Sequence, residues 1–357
     1  MKVKKSLVVV LVLALLVSVI GCGKKVEAPK DNAPKATQEQ KVVNSAFKDT
    51  EAALLKSLEP LPKASKAYKL AALEITLANP FWVTVKEGYE AGAKEYGVTI
   101  DVMSAPKEDD VNSQLETMKT LVNKDYDAIA ISAITPFNLV PGVAAATEKK
   151  IPVVAVGTSV DTEAAKKANA KIAAFITSNF EDQGKMGAEF IIDKIGTGKV
   201  AIIEGLPGAA QSEARKTGSK KAFEAAKGVE LLPIQSGNWD RQKAYDLTKN
   251  LLQANPDLKG IFCANDVMAL GAVEALKAAG KKDQVTVVGV DFIDDARQSI
   301  KNGELDATVA MSPYLFGKGG VILALKVLEG QTVKDDIYWT PMAVVDRGNV
   351  DTFEGWK

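Results

Sequence analysis

From Tyr68 onward, short apolar runs bounded by turn residues alternate with amphipathic stretches. The runs are KLAALEI, VTIDVMS, YDAIAIS, IPVVAVG, KIAAFITS, KVAIIEG, VELLPIQ, KGIFCAN, VTVVGVD and DATVAMS. Several are hydrophobic at nearly every position, as strands covered on both faces must be. The intervening segments repeat at the helical period. Leu115, Met118, Leu121 and Val122 share one face of 110–124, and Ala244, Leu247, Leu251 and Leu252 one face of 240–255. Strand–helix alternation predicts βαβ units with parallel sheets and right-handed crossovers. Ten strands are many for one small sheet, so the pattern predicts an α/β protein with two doubly wound parallel sheets. In such sheets ligands lie beyond the carboxyl ends of the strands, so function is sought in the loops that follow them.

The first residues follow another pattern. Lys2, Lys4 and Lys5 precede the uncharged run SLVVVLVLALLVSVI, which ends in small residues near Gly21. This reads as a secretory signal over 1–21 and is short for a membrane span. The junction VIGC, Val19–Cys22, resembles the lipobox of bacterial lipoproteins, which implies lipid on Cys22 and attachment to a membrane surface facing the periplasm or cell exterior. Residues 22–66 are polar, with scattered Lys, Gln, Pro29 and Pro34, and read as a lipidated N-terminus and flexible tether. A weaker helical pattern, FKDTEAALLKSLEPL, lies at its end. With Cys22 committed to lipid, Cys263 has no partner, and its apolar setting GIFCAN predicts a buried, inert thiol.

Composition narrows the chemistry. The chain has no histidine among its 357 residues, which excludes His-based triads, His general bases and His metal sites. It also predicts ligand binding nearly independent of pH between about 5.5 and 8, unless a carboxylate is strongly shifted. Basic and acidic residues balance at 45 each, so nucleic acid is not an expected partner. No metal-ligand spacing is visible, and no cofactor is expected. GTGK (196–199) precedes a strand, whereas a phosphate loop lies between strand and helix. GKGG (317–320) lies inside a helical stretch. The acid pairs Asp109-Asp110 and Asp294-Asp295 open predicted helices and read as caps and dipole partners rather than a glycosidase pair, and Asp266 likewise as a cap.

The loops after the strands carry ANPFW, ISAITP, VGTS, EGLPGAAQSEAR, QSGNWDR, CANDVMALG, GVDFIDD and AMSPY. Aromatics, amides, one Arg and several Asp do not make a catalytic set. They suit a polyhydroxy compound, whose C–H faces pack on aromatic planes and whose hydroxyls pair with Asp, Asn and Arg. Asn79-Pro80 also reads as a helix start with Phe81 and Trp82 as a hydrophobic staple.

ANPFW, GNWDR, FCANDVMALGAVEALKAAGK, VVGVD and DATVAMSPYLFGKGG resemble, in order over about 68–350, the sugar-binding periplasmic proteins of the ribose- and galactose-binding type. The resemblance implies two α/β lobes joined by three crossovers: an N-terminal lobe of 67–178 plus 312–340, and a C-terminal lobe of 179–311 plus 341–357. It implies no enzyme. It implies a monomeric receptor that closes on a monosaccharide or polyol and delivers it to an ABC-type import permease; the alternative is a sensor presenting its closed form to a chemoreceptor or sensor kinase. Carried over by residue, Asn79 bonds the ligand, Phe81 and Trp82 stack on one ring face, and Trp239 covers the other. Arg215 donates to ring or hydroxyl oxygens, Asn265 and Asp291 bind hydroxyls, and Ser178 sits near a crossover. Three positions depart from the ribose pattern. Gly157-Thr158 replaces an Asp-Arg pair, Ala133 an Asn and Met311 a Gln, and Gly157 is expected to free volume for a ligand other than ribose.

Overall fold

The computed structural model describes residues 45–357. The signal segment, Cys22 and most of the expected tether lie outside the described residues. The elements run α1 (Ser45–Ser57), β1 (Lys69–Thr76), α2 (Pro80–Tyr96), β2 (Thr99–Ala105), α3 (Val111–Val122), β3 (Ala128–Ile131), α4 (Val140–Glu148), β4 (Val153–Val156), α5 (Thr162–Lys167) and β5 (Ala174–Thr177). They continue with α6 (Phe180–Ile195), β6 (Gly198–Glu204), α7 (Ala210–Ala225), β7 (Val229–Leu231), β8 (Gln235–Ser236), α8 (Arg241–Ala254), β9 (Leu258–Cys263), α9 (Asp266–Ala278) and β10 (Thr286–Asp291). The last are α10 (Asp294–Lys301), β11 (Ala307–Ala310), α11 (Pro313–Leu328), β12 (Tyr338–Trp339) and β13 (Ala343–Asp346).

Two doubly wound sheets result. The first has the order β12-β5-β4-β3-β1-β2 and is parallel throughout; the second has β13-β11-β10-β9-β6-β7, with β8 beside β6 and β13 antiparallel to β11. All ten predicted runs contain a strand. Pro233 breaks VELLPIQ into β7 and β8. The pattern missed β12 and β13, which are too short to show a period. Within each sheet the chain reverses direction at one strand: β1 lies between β2 and β3, and β6 between β7 and β9. The loops after β1 and β6 therefore open at the switch points where ligands collect in this architecture.

The chain passes between the sheets three times, at 178–179, 311–312 and 340–342. The first and third passages are tied together: Ser178 Oγ and Thr340 Oγ1 are 2.6 Å apart, and Thr340 N donates to Thr177 O at 2.8 Å. Ser178 is thus a crossover residue held by another crossover.

Side-chain caps start most helices. Asp110, Asp161, Asn179, Asp240 and Ser312 each accept from a backbone N–H of the first turn. Two predicted caps differ. Asn265, not Asp266, caps α9, and α10 starts without a side-chain cap, leaving Asp294 and Asp295 in its first turn. Cys263 is buried in β9, where burial raises its thiol pKa, in keeping with an inert thiol.

Helix α11 is buried on nearly all sides, between the first sheet, α2 and α1. Two of its lysines are buried and must find partners. Lys318 Nζ bonds Glu51 at 2.9 Å and Glu95 at 2.6 Å. Lys326 Nζ donates to the carbonyls of Leu58 at 3.0 Å and Pro60 at 2.7 Å. The segment 45–66, expected as the end of a tether, is thus docked, helical over Ser45–Ser57, because it covers α11. Leu54 and Leu58 are buried there.

Helices α2 and α11 touch backbone to backbone. A Cβ on Gly317 would lie 2.0 Å from Val85 O, and one on Gly88 2.0 Å from Tyr314 O. Gly317→Ala should therefore lower unfolding stability by about 1–3 kcal/mol through overpacking. Urea unfolding checks this, and wild-type stability would mean the helices can part without cost.

Candidate functional site

Between the two sheets lies a narrow, partly open cleft with about 30 Å³ of accessible space, room for roughly one or two waters. Asn79, Phe81, Trp82, Glu108, Gly157, Thr158 and Phe316 line it from the first sheet's side. Phe180, Gln211, Arg215, Trp239, Asn265 and Asp291 line it from the second. Nine of the eleven residues expected at the site meet here; Ser178 and Met311 do not.

On the first side, Asn79 ends the turn after β1 and caps α2, its Oδ1 accepting from Phe81 N at 3.0 Å. Its Nδ2 donates to Glu108 Oε1 at 2.8 Å. Most of the amide is therefore used in holding the site together. Phe81 and Trp82 do not form one flat platform. Their rings meet edge to face, 5.0 Å apart at 84°, so only one of them can lie flat against a given ring face. Gly157 has φ +70°, and a Cβ there would sit 3.3 Å from Trp82 Cη2. The space left by the missing side chain is thus taken by the indole rim and is not freed for a larger ligand. Thr158 donates its hydroxyl to Ala133 O at 2.8 Å, and Ala133 stays behind the pocket wall.

On the second side, Trp239 follows Asn238, and both adopt left-handed backbone at φ +64° and +51°. Gly205 leaves room for the indole: a Cβ there would fall 2.1 Å from Trp239 Cη2. Asp291 (φ +119°) and Phe292 (φ +62°) form a second strained pair where β10 ends. Such conformations cost on the order of 1–3 kcal/mol each and are found where function over-determines the backbone. Buried Asp266 braces this turn, accepting from Ile293 N at 3.0 Å and Thr308 Oγ1 at 2.6 Å. It is a bracket between loops rather than a cap.

Arg215 is almost fully engaged. Nη2 bonds Asp291 Oδ1 at 3.1 Å, Nη1 donates to Ala264 O at 2.7 Å, and Nε donates to Gln183 Oε1 at 2.7 Å. Gln183 Nε2 in turn donates to Met311 Sδ at 3.0 Å. Met311 was expected to face the ligand; it lies behind Arg215, where its sulfur serves as an acceptor. No ligand hydroxyl loses a partner to it.

Glu108, Gln211, Phe180 and Phe316 were missed. Glu108 lies in the loop after β2, where the same strand-end rule would have found it. Gln211 Oε1 is buried without a partner, an acceptor free for a bound donor. Phe180 and Phe316 sit in helices just past crossovers and carry no local signal.

Burial pushes the Glu108 carboxyl up to about 7, partly offset by the Asn79 amide and reinforced by Asp291. Burial also raises Asp291, to about 6, against the pull of Arg215. Two acids therefore titrate where pH independence was expected. Among the described residues no acidic or cysteine cluster could hold a metal ion.

Comparison with known proteins agrees with this architecture. Residues 75–332 match the periplasmic binding protein domain family. The chain is 44% identical over 262 residues, 73% of its length and 84% of the relative's, to the D-allose-binding periplasmic protein of Escherichia coli. It is 34% identical to the ribose import binding protein of Bacillus subtilis, covering 76% of this chain and 85% of that one. A solved ABC transporter solute-binding protein of Actinobacillus succinogenes with bound D-allose superposes with a TM-score of 0.76 at 31% identity, covering 79% of this chain and 99% of the other.

The raised acids fix the sign of a pH effect. Their ordinary values are 4.5 and 3.8, so between about 4 and 7 the folded chain holds protons that the unfolded chain releases. Stability therefore falls as pH rises through that window. The melting temperature without ligand should drop between pH 5 and 7.5, and Glu108→Gln should flatten part of the slope. An identical slope in the variant would exclude Glu108 as its source.

Proposed function

Because the chain belongs to the periplasmic binding protein family, we propose that it is a lipid-anchored receptor that captures a neutral monosaccharide and hands it to an ABC importer. One observation carries this reading. Two indoles, Trp82 and Trp239, reach one small cavity from opposite sheets, beside the buried Arg215–Asp291 pair. Aromatic walls cover the C–H faces of a sugar ring. Asp291, Gln211 and Glu108 offer acceptors for its hydroxyls, and Asn265 retains its amide N–H groups, since its Oδ1 already caps α9. Arg215 orients Asp291 and has little left to donate, so its role is mostly indirect. The three crossovers act as the hinge between the expected lobes, and closure traps the sugar.

D-Allose and D-ribose are the first ligands to try, since similar proteins are named for binding them. The loss of the polar pair at 157–158 argues for a sugar other than ribose. A thermal-shift panel of pentoses, hexoses, deoxysugars and polyols should give at least one clear stabilisation, because a ligand of the native state raises the melting temperature. Asp291→Ala should then raise the Kd of that sugar at least tenfold, about 1.4 kcal/mol or more. Unchanged affinity would remove Asp291 from the site, and silence across the panel would reject the sugar reading.

The lipobox-like junction VIGC supports lipid on Cys22 and anchoring at the membrane, with a single receptor chain presented to the permease. Cys22→Ser should move the protein from the membrane fraction to the soluble exported fraction. Retention at the membrane would require another anchor.

A further inference from the structure

Helix α1 lies outside both sheets and touches α11 on the first-sheet side and the turn at 350–353 on the second. Its later turns are fixed to the first-sheet side. Leu54 and Leu58 are buried against α11, and Glu51 pairs with the buried Lys318 at 2.9 Å. Beyond it, Ser65 N donates to Glu329 at 2.6 Å.

Its first turn reaches across. The Phe47 ring meets Tyr314 edge to face at 5.8 Å and Trp356 at 6.2 Å. Tyr314 opens α11, just after the middle crossover. Trp356 belongs to the other body: it packs on Phe353 at 5.1 Å, and its carbonyl accepts from Arg297 Nη2 at 2.6 Å. Its indole Nε1 donates to Met311 O at 2.9 Å, on the near side of the same crossover. Phe47 is therefore wedged between rings on opposite sides of a pivot.

The arrangement around it is closed. Trp82, Trp239, Arg215 and Asp291 are 5%, 7%, 4% and 6% exposed, although they line the cleft. Ser312 Oγ donates to Lys357 O and the Lys357 ammonium lies over the Tyr314 ring, so a rotation that parts Trp356 from Tyr314 must break these contacts together with those of Phe47.

We propose that α1 is a hinge latch, in which Phe47 bridges Tyr314 and Trp356 only while the lobes are closed and so biases the ligand-free protein toward closure. Aromatic edge contacts are individually modest, so the latch shifts a population and does not lock it. It rests on closure about the crossovers and on no particular ligand. By shifting the fraction of binding-competent protein, it would also scale the apparent affinity for any ligand.

The test is an interlobe distance in the full chain carrying Cys22→Ser, with spin labels on Phe137→Cys and Gln242→Cys, at exposed positions on opposite sides of the cleft. Without sugar, Phe47→Ala should move the pulsed-dipolar distance distribution toward longer separations. Phe47→Leu keeps the bulk but not the edge contacts and should give a smaller shift in the same direction, and it serves if the alanine variant does not fold. For D-allose, Phe47→Ala should weaken binding about three- to tenfold, mainly through faster release. An unchanged distance distribution with a lowered melting temperature would overturn the latch and leave α1 as a cover for α11. Absence of D-allose binding would remove D-allose as the ligand and leave the latch untouched, since the distance measurement uses no sugar.

Discussion

The buried pair of Arg215 and Asp291 is the constraint on which the second half of the site depends. A guanidinium taken out of water is costly unless its donors are met, and each partner here comes from a different element. Gln183 belongs to α6, the carbonyl of Ala264 to the loop after β9, and Asp291 to the end of β10. One side chain thus ties together a helix, a loop and a strand end. It also explains why the backbone at Asp291 tolerates φ +119°. The strain is held by an ion pair with nowhere else to go. Breaking such a pair leaves an uncompensated buried charge, so the geometry is steep on every side.

Aromatic placement follows a second rule, in which glycine makes room and the ring fills it. Gly205 accepts the indole of Trp239, and Gly157 accepts the rim of Trp82. Both glycines follow strands at the cleft, so each indole is set by backbone contacts, not by flexible neighbours. Side chains held this way keep their orientation when the pocket is empty, which lowers the ordering cost of binding.

Much of this was legible in the sequence, for physical reasons. Buried parallel strands must be apolar at almost every position, which is why YDAIAIS and VTVVGVD stood out. Ligands gather at strand ends, so ANPFW, GNWDR and GVDFIDD point to both indoles and the aspartate of the cavity. What failed was orientation. Met311 takes a ligand-facing role by its position, but its sulfur lies behind Arg215 and accepts from Gln183. Gly157 was read as empty volume because a neighbour's reach cannot be seen in one dimension. Glu108 was passed over along with its loop, and with it the acid that upsets the expected flat pH response. Helix α1 had the right periodicity, but its docking depends on two buried lysines some way down the chain in α11.

Those lysines carry a wider meaning. The family match begins at residue 75, whereas the chain that satisfies Lys318 and Lys326 begins with α1. The edge of the family match and the edge of the folding unit are different places. A protein cut at residue 75 would lose most of β1 along with α1, leaving Lys326 without the carbonyls of Leu58 and Pro60 and Lys318 with Glu95 alone. Residues 45–66 thus serve the interior of the fold they precede, and that unit begins where the buried charges of its central helix find their partners.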